Sequence, residues 1–268
     1  MTGSLQNPAE GPPPLALPES VDSSAQPRLW GFWMTLLLSL AIMGVYVVLQ
    51  LVVGIVLFVF RFAVDSTIDP MAYAQQLEDD GLYLALATLL AAPAGLAFIA
   101  LFTGPARGIP CGDYIRLTRP SARALLSWTA LAVAFMVSSD ALRLALGMPL
   151  VPDEVVAWYQ SAVSPPLLWF ALVIAAPAFE ESFFRGFMLR GFAASSIGPW
   201  GAVVLTALFW ALLHIQYDLF GVATIFVFGL MLGAAQLRTG SLYVPLAMHA
   251  LNNAVSTFET AWVASHSP

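Results

Sequence analysis

The chain contains no lysine; all ten of its basic residues are arginine. Charge of either sign is scarce, at 10% of 268 residues, against roughly 25% in an ordinary soluble domain. That scarcity excludes a soluble globular protein, and the lack of a basic patch excludes a nucleic-acid surface. The single cysteine, Cys111, sits between Pro110 and Gly112. It cannot form an internal disulfide, and there is no C-x-x-C pair or Cys/His cluster to suggest structural zinc. Also missing are H-E-x-x-H, which sets two zinc-binding histidines on one helix face, and the G-x-S-x-G elbow of serine hydrolases. No internal repeat is detectable.

What the chain has in quantity is apolar surface, at 59% of its residues. Apolar runs of about 18 residues or more are candidate membrane spans. They fall at Trp30–Phe60, Leu82–Phe102, Ala124–Leu146, Pro166–Leu189, Trp200–Tyr217, Phe220–Leu237 and Leu242–Val263. This pattern predicts an all-α polytopic membrane protein with about seven transmembrane helices. Residues 1–28, rich in Pro, Ser and Gln, read as a disordered tail. Residues 29–147 hold three spans, 148–264 hold four, and 265–268 form a short C-terminal tail. The first apolar run is too long for a signal-peptide h-region and predicts a retained helix.

Charge sorts the loops. Arg107, Arg116, Arg119 and Arg123 follow the second span, Arg190 the fourth and Arg238 the sixth. The segment after the first span carries Asp65, Asp69, Glu78, Asp79 and Asp80 instead. The positive-inside rule therefore places the N-terminus and the arginine-rich loops in the cytoplasm. The expected location is the lipid bilayer of a bacterial inner membrane. Asp140 and Arg143, three apart in the third span, are expected to pair on one helix face. Gly229 and Gly233, spaced as GxxxG, suit close helix packing.

The last four spans hold an unusual polar set. Glu180, Glu181 and Arg185 lie on the fourth, His214 on the fifth, and His249, Asn252 and Asn253 on the seventh. Ionisable groups inside hydrocarbon are costly and usually face a protein interior or a wet cavity, with partners. Neighbours on a helix point about 100° apart, so Glu180 and Glu181 cannot aim at one target. Glu181 and Arg185 have the i, i+4 spacing of an ion pair, which leaves Glu180 for another role. Depth estimated from the helix rise puts Glu180, His214 and His249 near the midplane, biased toward the arginine-bearing side.

A carboxylate, two imidazoles and an amide suffice for peptide hydrolysis. The carboxylate can take a proton from water, the imidazoles can orient that water or protonate the leaving amine, and the asparagine can donate to an oxyanion. Alternatively, Glu180, His214 and His249 could hold Zn²⁺ with one position open for water. Residue types alone leave both mechanisms open.

These residues resemble the signature of the CPBP intramembrane proteases, the family of CAAX prenyl endopeptidases and bacteriocin-processing enzymes also called the Abi family. Its E-E-x-x-x-R is matched by Glu180-Glu181-Ser182-Phe183-Phe184-Arg185, and its H-x-x-x-N by His249-Ala250-Leu251-Asn252-Asn253. Its F-x-x-x-H appears as Trp210-Ala211-Leu212-Leu213-His214, a departure expected to affect packing rather than chemistry. The resemblance implies an intramembrane endopeptidase acting on a protein or peptide, with Glu180 activating water. His214 and His249 would complete its site, Asn253 would stabilise the oxyanion, and Glu181 and Arg185 would support them. The expected cut lies near the cytoplasmic side. Two other classes compete: a non-catalytic membrane scaffold or immunity protein, and a proton-coupled transporter, which Pro177 would favour by interrupting the fourth span.

Overall fold

The structure, a computed structural model, describes residues 29–214 and 216–266, the side chains of 105–107 excepted. The expected tail at 1–28 lies outside the described residues. Among these residues the regular structure is helical, with no strand. The long helices are α1 (Phe32–Val64), α3 (Gly81–Arg107) and α5 (Ala122–Ala145). The short α2 (Pro70–Glu78), α4 (Cys111–Tyr114) and α6 (Asp153–Gln160) lie in the connections. Four further helical elements follow: α7 (Pro165–Ala193), α8 (Gly198–Leu212), α9 (Leu219–Thr239) and α10 (Tyr243–His266).

Every apolar run read from the sequence is a helix. Five of these helices (α1, α3, α5, α7 and α9) are long and apolar enough to cross a membrane. The other two depart from expectation in different ways. α8 has only 15 residues, a rise of about 22 Å against a hydrocarbon core of about 30 Å. It stops at Leu212, so His214 lies in the turn beyond the helix rather than on it. α10 is long enough but carries too many polar residues on its inward face to read as a simple span.

Polar caps set the helix ends. Asp80 accepts from the backbone N–H groups of Leu82 and Tyr83, and Ser121 from that of Ala124, each satisfying donors that a helix start leaves unpaired. Asp218 accepts from Gly221 and starts α9. Gly240, with φ +66°, ends it in the left-handed conformation that glycine adopts without cost.

Packing separates helices that face lipid from those that face each other. α1 exposes Leu37, Leu40, Leu51, Ile55 and Phe60, as a hydrocarbon-facing helix does. α7 is the centre: Phe179, Phe183, Phe184, Phe187 and Phe192 join Trp210, Phe228, Leu232 and Leu242 in one buried cluster. The GxxxG expectation holds. A Cβ at Gly229 would come within 3.0 Å of Ala207, and one at Gly233 within 2.9 Å of Val203, so the absent side chains are what let α8 and α9 touch.

The bundle has two distinct ends. At one, the 108–120 segment is tied to the start of α10: Leu242 N–H donates to the Arg116 carbonyl, and Thr118 Oγ1 to the Gly240 carbonyl. Arg190 donates to the carbonyls of Asp113 and Tyr114 at the same end. At the other, Trp158 Nε1 donates to the Glu78 carbonyl and Ser161 Oγ to that of Asp79. Here the expected Asp140–Arg143 pair is replaced. Arg143 forms its ion pair with Asp218 at 2.7 Å and also donates to the Pro149 carbonyl. A partner on another element, invisible to sequence spacing, wins over the one a turn away.

Candidate active site

Span four is continuous through Pro177. Proline cannot donate a backbone hydrogen bond and crowds the preceding turn. The backbone is widened into π-helical turns at Ala171–Ala175 and Ser182–Met188, on either side of the two glutamates. Such turns break the i→i+4 ladder and frequently mark functional sites. The carbonyl of Leu172, inside the first of them, accepts from Asn253 Nδ2 at 2.8 Å. The interruption expected of a transporter is not there.

Glu181 and Arg185 form the ion pair that their spacing suggests, with Oε1 to Nη1 at 2.9 Å and both side chains fully buried. Burying such a pair is tolerable only with further polar contacts, and these exist. His249 Nδ1 donates to the same Glu181 oxygen at 2.7 Å. The Arg185 guanidinium lies 4.5 Å from the Trp210 ring centroid and donates to the Gly229 carbonyl. Glu181 is thus more than a neutral partner for arginine. It fixes the tautomer of His249, leaving Nε2 as the nitrogen not engaged by the carboxylate.

Trp210 makes polar contacts as well as packing ones. Its Nε1–H donates to Glu180 Oε2 at 2.6 Å, its own carbonyl accepts from His214 Nδ1 at 2.8 Å, and its ring meets the edges of both His214 and His249 at about 5 Å. One residue therefore touches Glu180, His214, His249 and Arg185. A phenylalanine could supply the ring but not the hydrogen bond. The signal was available in the sequence, since indole N–H groups seek a partner when buried, but the partner depends on how α8 packs against α7.

Glu180, His214, His249 and Asn253, which the sequence scatters over some seventy residues, all line one cavity of about 520 Å³. Asn252, Tyr46 and Tyr217 line it too; Tyr46 stacks on Phe179, and Tyr217 lies parallel to the His214 ring. Tyr46 did not stand out in the sequence, because it falls in ordinary apolar surroundings. Asn253 spends one amide hydrogen on Leu172 and retains a second. The inward bias estimated from helix rise does not survive. The cavity occupies the end bearing α6 and residues 216–218, because aromatic side chains of α7 fill the arginine-bearing half.

A metal fits poorly. Among the described residues no group of three or more His, Cys, Asp or Glu side chains is placed to hold an ion. The hydrogen bonds of the three suggested ligands use Glu180 Oε2 and the Nδ1 atoms of His214 and His249, which leaves the other carboxylate oxygen and both Nε2 atoms outside those contacts.

Fold and site together define a class: an all-helical polytopic membrane protein with a chamber inside its bundle into which a few polar side chains converge. More particularly, residues 162–255 match the family described as type II CAAX prenyl endopeptidase Rce1-like. That match coincides with the resemblance carried by the three motifs and contains all of them. The chain is also similar to an uncharacterized 24.3 kDa protein of Escherichia coli, 31% identical over 108 residues, which are 39% of this chain and 50% of that one. It therefore spans about half the length of the curated relative it matches. No solved structure matches the chain.

Proposed function

We propose that the protein is an intramembrane endopeptidase in which Glu180 is the general base. The observation that carries this reading is the convergence of Glu180, His214, His249 and Asn253 on one chamber. Glu180 takes a proton from a water molecule as its oxygen adds to the scissile carbonyl carbon. The oxyanion that forms accepts from the remaining Asn253 N–H. The C–N bond then breaks as the proton held by Glu180 passes to the leaving nitrogen, which restores the carboxylate. His249, held through Nδ1 by Glu181, and His214, held through Nδ1 by a backbone carbonyl, each keep Nε2 for the water or the substrate.

Glu180→Gln keeps the shape and removes the base. General bases contribute about 100- to 10,000-fold, so cleavage should fall by that factor while the melting temperature in detergent stays within a degree or two. The readout is peptide termini mapped in membranes of cells carrying either form at matched abundance. Identical termini, together with a phenotype the variant preserves, would remove the enzyme and favour a scaffold.

A further inference from the structure

The two ends of the bundle differ in charge, and the chamber belongs to only one of them. Arg107, Arg116, Arg119, Arg123, Arg190 and Arg238 mark one end, with Asp113 as its acidic residue. The contacts of the 108–120 segment with Arg190 and the start of α10 confirm that these loops lie together. The opposite end carries Asp65, Asp69, Glu78, Asp79, Asp80, Asp153, Glu154 and Asp218. Its arginines are Arg61 and Arg143, and the latter is spent on Asp218. An arginine bias of this size sets orientation in short-looped membrane proteins, so the arginine-bearing end faces the cytoplasm.

The chamber lies toward the other side. Its lining descends from Pro152 and Gln216, in the connections at the acidic end, to Glu180 and His249 at mid-depth. Below it the bundle is closed. Glu181, Arg185, Phe187, Tyr114 and Leu232 are essentially without exposure, and they pack the bundle between the arginine-bearing loops and Glu180.

We infer that the site is served from the extracytoplasmic face, and that its substrate is a polypeptide segment already exported or inserted in the outward leaflet. This rests on the endopeptidase reading above. A chain tail lipidated in the cytoplasm would have to cross the closed half to reach Glu180. A chamber of about 520 Å³ is the size of a small-ligand pocket, so it admits an extended stretch of a few residues rather than an intact helix. The substrate must therefore unwind locally at the scissile bond.

The test reads orientation without catalysis. In a Cys111→Ser background, single cysteines are placed at exposed positions of each end, Asp153→Cys and Arg119→Cys, and treated with a membrane-impermeant maleimide. In right-side-out spheroplasts D153C should label at least tenfold more than R119C, and in inside-out vesicles the order should reverse. The opposite pattern, or equal labelling of both from both faces, overturns the inference. Termini that differ between wild type and Glu180→Gln should then fall in extracytoplasmic or outward-leaflet segments of their parent proteins. Termini confined to cytoplasmic segments overturn the substrate assignment. An absence of any difference removes the endopeptidase reading, and with it the substrate assignment, while the labelling still decides which way the chamber faces.

Discussion

At the residue scale, adjacent glutamates do opposite work. Glu181 is sealed in the bundle with Arg185 and His249, whereas Glu180 faces a chamber with one donor, Trp210, on its carboxylate. Glu181→Ala should therefore unfold the protein where Glu180→Gln does not. It strands the Arg185 charge in a dry site, which costs about 3–5 kcal/mol and should appear as a large drop in melting temperature. Trp210→Phe keeps the ring that packs on Arg185 and His249 and deletes only the donor. A hydrogen bond to a charged group is worth about 1.5–3 kcal/mol, so kcat should fall about ten- to a hundredfold with KM nearly unchanged. An unchanged kcat would show that tryptophan serves packing alone.

At the element scale, close approach of α8 and α9 decides where Trp210 sits. Gly229→Val would drive a side chain into Ala207 and the Trp210 ring. Overpacking of this kind costs about 1–3 kcal/mol. It should also lower activity beyond the loss of folded protein, because the indole that holds Glu180 is displaced. Activity per folded molecule, measured after thermal-shift normalisation, separates the two effects. α7 illustrates how a span tolerates proline: the backbone opens into π turns, and Asn253 of α10 satisfies a carbonyl of the first one.

At the scale of the whole molecule, the Arg143–Asp218 bridge joins the end of α5 to the start of α9 beside the chamber mouth. The hydrogen bond from Arg143 is the main cause holding the Asp218 carboxyl below the usual carboxylate range. A depressed pKa contributes stability that is present above the ordinary aspartate value and is lost as pH falls through the folded one. Asp218→Asn should accordingly lower the melting temperature at pH 7, and the gap to wild type should begin to narrow below about pH 4 and close only below the depressed native value. A gap that does not change with pH would mean that the cap on α9, which asparagine can also form, matters more than the charge.

The chain of apolar runs determined the helices, and the i, i+4 spacing determined the Glu181–Arg185 pair, because both follow from local geometry along a helix. The motifs also marked which polar residues belong to one site. Tertiary packing decided the rest. Arg143 chose Asp218 over Asp140, the indole of Trp210 found Glu180, and the aromatic side chains of α7 closed one half of the bundle and left the chamber in the other. Each of these depends on how helices far apart in sequence meet, and periodicity along a single helix contains no information about its neighbours.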